Sequence, residues 1–511
     1  MNILSAHLLS LILFLPLVGA VVLLAFPANK VKAIRGVALV ASLIPLALTL
    51  VLWGSYSTAL TVGEFKFVEN YPWFTSIGSS YHLGIDGVSL VMLLLTTLLT
   101  PLAIMTSFNI KERVKAFMIL FLVLETGMLG VFMALDLVLF FLFWEIGLVP
   151  MYFLINQWGG EKRNYASLKF ILFTMGGSLG LLLAIQMIGV VCGTFDLVTI
   201  TASWPALQGG ELFGIPIATV KAIAFWAFVV AFAIKVPVWP FHTWLPDAHT
   251  EAPTGGSMVL AGVLLKLGGY GFIRLVLPLF PAESARFASW LAALATAAII
   301  FGALAAAAQT DFKRLVAYSS INHMGFVVLG IAAAAWAGGQ TNPTLRESAV
   351  IALNGAVLQM FNHGLTAAGM FFLVGVLYDR AHTRQLAEYG GLFAILPVYG
   401  AILVFISMAS LGLPGLNGFV SEFMIVRGVW PIFTLFIALA MIGLLFTAVY
   451  VLKALKLTLH GALNEKWVGK LTEISRRELV VIIPLMLLVV IIGWWPAWIL
   501  NLINQTVMTW F

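Results

Sequence analysis

Residues 137–158 read LVLFFLFWEIGLVPMYFLINQW, twenty-two positions with a single charge, Glu145. About 20 apolar residues in a helix cross the hydrocarbon of a bilayer. This run is apolar on every side of a helix, so it keeps no face for water. Barrel strands alternate polar and apolar over about ten residues, and this stretch does not alternate. It reads as a transmembrane helix with one carboxylate near its middle.

The chain repeats that pattern along its length. Its 511 residues are 62% hydrophobic and only 9% charged, with a mean hydropathy of +1.06. Soluble domains carry about 25% charged residues. Fourteen spans are predicted: 6–26, 35–54, 86–108, 114–134, 137–158, 165–192, 218–251, 254–279, 287–308, 311–336, 347–378, 392–428, 431–457 and 479–498. The expected fold is an all-α, polytopic membrane protein forming a single membrane domain over 1–511. No basic segment precedes the first span, which therefore reads as a retained helix and not a cleaved signal. A single cysteine, Cys192, excludes a disulfide scaffold, an iron–sulfur cluster and a thiolate zinc site.

Lys and Arg fix the expected orientation. With both termini placed outside and residues toward span ends counted with the adjoining loops, 18 of the 27 basic residues (Lys313 among them) fall inside, 6 (Arg274 among them) fall outside and three (Lys169, Lys235, Lys266) are assigned to the spans themselves. That bias follows the positive-inside rule, so the N-terminus and the uncharged C-terminal tail, Asn501 to Phe511, are both expected on the non-cytoplasmic side. The net charge of +6 then reports cytoplasmic loops facing lipid and calls for no nucleic-acid partner. The longest connections are 55–85, 193–217 and 458–478. In the last, Leu463, Trp467, Leu471 and Ile474 recur at helical spacing among charges, which predicts a short amphipathic helix, a cytoplasmic connector at the headgroups.

Ionisable residues within spans carry the functional signal, because each costs several kcal/mol unless it is paired or hydrated. Glu145, Lys235 and Lys266 are such residues. A purely structural account would pair Glu145 with Lys235 and solvate Lys266 in a crevice. A proton or ion path accounts for all three. Desolvation loosens a lysine's hold on its proton and a nearby carboxylate restores it, so a changing Glu–Lys distance loads and unloads a proton.

Two spans are interrupted. Stretch 218–251 carries Pro237, Pro240 and Pro246, with Lys235 at the first break. Stretch 392–428 carries Gly412, Pro414, Gly415 and Gly418, then Glu422. Paired interruptions in corresponding places of two halves point to a transport site built from inverted repeats. The breaks fall in the seventh and twelfth spans, which predicts two five-helix repeats: spans 4–8 (114–279) and spans 9–13 (287–457).

Polar side chains continue between the breaks. Ser319, Ser320, Asn322 and His323 cluster in the tenth span; Gln359, Asn362, His363 and Thr366 cluster in the eleventh. Neutral imidazole donates and accepts at once, so His323 and His363 suit a water wire. Lys169 sits one turn inside its span, where snorkelling explains it. Asp136 and Asp311 begin spans as helix caps, and Glu125 in the fourth span is ambiguous. His242, Asp247, His249 and Glu251 cluster near the cytoplasmic side, where capping and an aqueous proton entry explain them better than a metal.

Phe241-His242-Thr243-Trp244-Leu245-Pro246-Asp247-Ala248-His249, followed by Glu251-Ala252-Pro253-Thr254, resembles the signature connection of the antiporter-like membrane subunits of respiratory complex I. Leu260-Ala261-Gly262-Val263-Leu264-Leu265-Lys266 with Gly269-Tyr270-Gly271 resembles it too, as does Leu413-Pro414-Gly415 through Phe419-Val420-Ser421-Glu422-Phe423. Within the family the chain is similar to the chain M, or mitochondrial subunit 4, type. Glu422 stands where the other types usually place Lys, and no long lateral helix follows the fourteenth span.

The resemblance implies a role for each of six residues. Glu145 is the counter-charge, Lys235 the gating lysine and Lys266 the central relay. His323 and His363 line the polar axis, and Glu422 is the terminal group. It further implies a proton-translocating subunit of an NADH–quinone oxidoreductase in the inner (cytoplasmic) membrane, lying beside neighbouring antiporter-like subunits. Flavin, iron–sulfur clusters and quinone are implied on other subunits, with no cofactor or metal on this chain. An Mrp-type Na⁺/H⁺ antiporter subunit, a hydrogenase-linked membrane subunit and a scaffold with purely structural charges remain alternatives.

Overall fold

Helix starts are set by acidic side chains that take up free amides at the ends of the apolar runs. Asp86 accepts from the amide of Ser89, Asp311 from that of Arg314, and Asp136 from those of Val138 and Leu139. The caps expected at Asp136 and Asp311 are therefore present. The computed structural model describes residues 7–56 and 65–511. The predicted start of the first span at residue 6 and the middle of connection 55–85 lie outside the described residues.

Thirteen described helices are long and apolar enough to cross a membrane. They correspond to every predicted span except the twelfth, which is present in two pieces, Pro397–Leu411 and Asn417–Val429. The seventh is interrupted as well. Its helix runs Ile217–Lys235, and after a turn containing Pro237 and Pro240 a shorter helix spans Trp244–Glu251. Pro cannot donate to the helix ladder, and at 412–416 the left-handed backbone of Gly412 and Gly415 turns the chain. Span 8 stays continuous from Thr254 to Leu279 but includes two π-helical turns, Leu260–Leu264 and Phe272–Val276.

Spans 8 and 11 form the centre: their most apolar windows are 100% buried, against 33% for spans 2, 13 and 14 at the periphery. Polar residues on the central helices are thereby shielded from lipid. The predicted outer connection 55–85 contains an antiparallel hairpin, β1 (Lys66–Phe74) with β2 (Ser79–Ile85). Buried Glu69 of β1 accepts from the amides of Leu9 (2.8 Å) and Ser10 (3.1 Å), closing the open end of the first span. Serines at the start of β2 hold Asp136, and its His82 lies 2.6 Å from Asp196.

Three expectations are corrected. Connector 458–478 is not a helix. It has one 3₁₀ turn, Glu465–Trp467, between Gly461 and Gly469, both with positive φ. Trp467, Leu471 and Ile474 are buried nonetheless, and the indole of Trp467 donates to the carbonyl of Glu388. The segment after the fourteenth span, read as a tail from Asn501, is largely the helix Ala497–Met508 packed on spans 3 and 11. Arg274 and Lys313, read as loop residues, are buried within spans 8 and 10; Arg274 pairs with Asp86.

Asp196 caps the helix Leu197–Ser203 and receives His82. Burial pushes its carboxyl up, and the hydrogen bonds from His82 and Thr199 outweigh that and hold it below the usual carboxylate range. Its stabilisation is thus present above the unfolded-state value and is lost as pH falls through the lower folded-state value. Asp196→Ala should cost about 1–2 kcal/mol at pH 7, read as a lower thermal midpoint. The gap from wild type should narrow as pH drops below about 4. A gap that stays constant down to that pH would count against the pairing.

Candidate functional site

Spans 8 and 11 meet at glycines. A Cβ on Gly364 would lie 2.9 Å from the carbonyl oxygen of Gly262, closer than real contacts allow, so the two backbones touch there. One turn along span 8, Lys266 is fully buried. Its Nζ donates to the Ala261 carbonyl in the π-helical turn (2.5 Å) and to His363 Nδ1 (2.7 Å). A nitrogen that accepts carries no proton, so neutral His363 holds its hydrogen on Nε2. That Nε2 has no hydrogen-bond partner.

The next ring is His323 on span 10, with centroids 5.6 Å apart. His323 Nδ1 donates to Glu422 Oε1 at 2.7 Å, and the Gln359 amide donates to the same oxygen at 2.9 Å. On its other side, His323 Nε2 lies 3.4 Å from the Tyr450 hydroxyl and 3.5 Å from Ser410 Oγ. Glu422 stands just past the span 12 break. The break is pinned by Asn362, which donates to the Asn417 carbonyl (2.7 Å) and Ser421 Oγ (2.9 Å). Glu422 also lines a cavity of about 250 Å³ with Phe326, Gly412 and Pro414. Four spans thus contribute a buried row in the order Lys266, His363, His323, Glu422.

Lys235 and Glu145 lie outside this row, Lys235 at the end of a helix that packs on span 8. Lys235 ends the first half of span 7 and is buried, with Nζ 5.0 Å from the ring centroid of Trp144. The Glu145–Lys235 ion pair considered from sequence is not formed within 4.0 Å. The ammonium faces the indole of the adjacent residue, a cation–π contact. The Glu145 charge still reaches Lys235. Glu145 is half-buried and its Oε1 lacks a partner.

Other candidates take distinct places. Asn322 does not share the face of His323. Adjacent helix residues point about 100° apart, and Asn322 donates to the carbonyls of Ile299 and Gly443 and to Thr447. Lys169 pairs with Asp247 at 2.7 Å, and Arg314 approaches Asp247 at 3.4 Å. Glu125 is fully buried with both oxygens unpartnered, apart from the row. His249 is fully buried, lies flat on Phe371 at 4.4 Å, and neither ring nitrogen has a partner. Among the described residues no three His, Cys, Asp or Glu converge for a metal ion. Sequence reading did not pick out Tyr450 and Ser410, since nothing local marks a hydroxyl that meets a histidine from another span.

Residues 134–447 match the family described as NADH:quinone oxidoreductase/Mrp antiporter, and residues 34–134 match the amino terminus of NADH-ubiquinone oxidoreductase chain 4. NADH-quinone oxidoreductase subunit M of Rhodobacter capsulatus is 40% identical, over 98% of this chain and 96% of that protein. The chain belongs to the subunit M family. Chain 4 of Marchantia polymorpha, 35% identical over 98% of this chain and 96% of its own, is a more distant member. A chain of respiratory complex I from Thermus thermophilus superposes with a TM-score of 0.83 at 28% identity, covering 98% of this chain and 100% of that one. A chain of the Mrp complex from Dietzia sp. superposes with a TM-score of 0.82 at 20% identity, over 99% and 97%; that likeness is one of fold alone. The sequence relatives favour the oxidoreductase reading over the antiporter one.

Gly268 lets span 8 press on the end of the first half of span 7. A Cβ there would lie 2.8 Å from the Phe232 carbonyl and 3.0 Å from the Val236 amide, both backbone atoms. Gly268→Ala should push Lys235 away from span 8 and cost about 1–3 kcal/mol, read as a lower thermal midpoint. An unchanged midpoint would show that the two helices separate freely.

Proposed function

We propose that this chain is a proton-translocating subunit of a redox-driven NADH–quinone oxidoreductase, assembled with other antiporter-like membrane subunits. The buried row from Lys266 to Glu422 carries the proposal. Flavin, iron–sulfur clusters and quinone belong to other subunits, and this chain moves protons without redox chemistry of its own. The two five-helix repeats, 114–279 and 287–457, each place an ionisable group at a broken helix, Lys235 in one and Glu422 in the other. The charge bias of the loops supports a cytoplasmic-membrane orientation with both termini outside.

Each transfer conserves the proton. The Lys266 ammonium passes one to His363 Nδ1, leaving a neutral amine and an imidazolium. His363 then releases its Nε2 proton toward His323, which takes it on Nε2. His323 gives its Nδ1 proton to the Glu422 carboxylate. Rotation of the two rings resets the tautomers for the next proton. Lys235 refills the row while Glu145 sets how tightly Lys235 holds its proton. A close carboxylate contributes about 1.4–4 kcal/mol to that hold.

Two sets of variants in reconstituted complex test the reading. Lys266→Ala should assemble and still reduce an artificial electron acceptor, while pumping falls at least about tenfold, below the 10²–10⁴ that a positioned proton-transfer group contributes. Wild-type pumping by Lys266→Ala would refute the relay. Glu145→Asp keeps the charge and should retain part of the pumping; Glu145→Gln should lose it. Equal pumping by Gln and Asp would make the charge dispensable.

A further inference from the structure

Span 8 continues past Lys266 toward the face opposite the Lys/Arg-rich loops. Tyr270 follows Lys266 by one α-helical turn and Arg274 bonds back to Tyr270, so the three share one side of the helix. Beyond Arg274 lies a cavity of about 310 Å³, lined by Asp86, Leu197, Thr201, Arg274, Thr509 and Trp510. The row of Lys266, His363, His323 and Glu422 crosses from span to span, whereas this line follows span 8 to its end. A proton pump has to keep such a line shut, since a proton entering from the cavity would reload Lys266 from the wrong side.

The Tyr270 hydroxyl donates to the Phe132 carbonyl at 3.1 Å and accepts from Arg274 Nε at 3.1 Å. Its one hydrogen is thereby committed, so buried Ser89 Oγ, 2.9 Å away, donates to its second lone pair. A hydroxyl filled in this way has no place for a water from either side. Arg274 is buried too, and a guanidinium does not give up a proton. Its Nη2 pairs with Asp86, whose other oxygen accepts from the Ser89 amide at 2.9 Å. The groups bonded to Asp86 are thus donors only, and a proton it met from the cavity would go no further. The rings of Phe65, Tyr270 and Trp510 hold the cation, with centroids 5.0, 5.4 and 5.6 Å from Cζ. Burial costs an ion pair about as much as its attraction returns, so stability alone does not account for it.

We propose that Arg274, held by Asp86, is the barrier that keeps protons in this cavity from reaching Lys266. It is a positioning residue. It fixes the Tyr270 hydroxyl between two donors and a carbonyl, and it ends the line with a charge that neither takes nor releases a proton. Fixed arginines serve the same end in pores that exclude protons. The inference rests on the proton-translocating reading above.

Passive leak separates this role from a structural one. The intact complex is placed in vesicles, a pH gradient is imposed without NADH, and proton entry is followed with a trapped pH dye. Arg274→Gln combined with Asp86→Asn removes both charges and leaves neither buried alone. Proton entry should then rise at least about tenfold over wild type, which is a barrier lower by about 1.4 kcal/mol. Arg274→Lys keeps the ion pair, but one ammonium does not span Asp86 and the Tyr270 hydroxyl, and it releases protons. It should leak as well, to a smaller extent. Reduction of an artificial electron acceptor checks assembly. Wild-type tightness in the double variant overturns the proposal, and wild-type tightness in Arg274→Lys does so too by making the residue a structural cation. Should neither variant assemble, Trp510→Ala removes one ring beside the cation at a partly exposed position. It should leak above wild type, and wild-type tightness there overturns the proposal. Leak is read without NADH and so stands apart from pumping: a wild-type complex that oxidises NADH without moving protons would instead defeat the underlying function.

Discussion

Backbone contact between Gly262 and Gly364 is the constraint on which the interior depends. A side chain at Gly364 would press on the Gly262 carbonyl and part spans 8 and 11, opening the 2.7 Å bond between Lys266 and His363, and one at Gly262 would collide with Leu99 of span 3. The same need for close approach recurs around span 12. A Cβ on Gly355 would lie 2.9 Å from the Ile425 amide, so spans 11 and 12 also touch, and Gln359 reaches Glu422. Small residues at helix crossings are the usual means of tight packing in lipid, where no hydrophobic drive pulls helices together. Here they also set the spacing of ionisable groups along the row.

The breaks and the π-helical turns have a related logic. In hydrocarbon a backbone group without a partner costs several kcal/mol, so irregular backbone survives only where protein surrounds it. The Asn417 carbonyl at the second break is met by Asn362, and the Ala261 carbonyl in the π-helical turn is met by Lys266. Groups that a regular helix would keep to itself thereby become binding partners for charged and polar side chains.

Much of this was legible in the sequence because charge inside an apolar run is rare and costly. Glu145, Lys235, Lys266 and Glu422 stand out on that ground alone, and thirteen spans plus the divided twelfth follow from hydropathy. Pairing was less legible. Spacing cannot tell that Lys235 faces the ring of Trp144 in place of the carboxylate beside it. Helical periodicity misled at 463–474, where glycines with positive φ and the bond from Trp467 to Glu388 override it. Lys313 and Arg274 sit at the margins of apolar runs, where a buried charge and a loop charge look alike in one dimension.

Glu69 has a consequence for biogenesis. The amides of Leu9 and Ser10 open the first membrane helix, yet the carboxylate that satisfies them arrives about 60 residues later, beyond the second helix. During synthesis that end of the first helix must rely on water until both helices are inserted and the hairpin has folded back onto them. Folding of the hairpin therefore completes the first helical pair, and a chain stalled before Glu69 would hold that pair with this end unsealed.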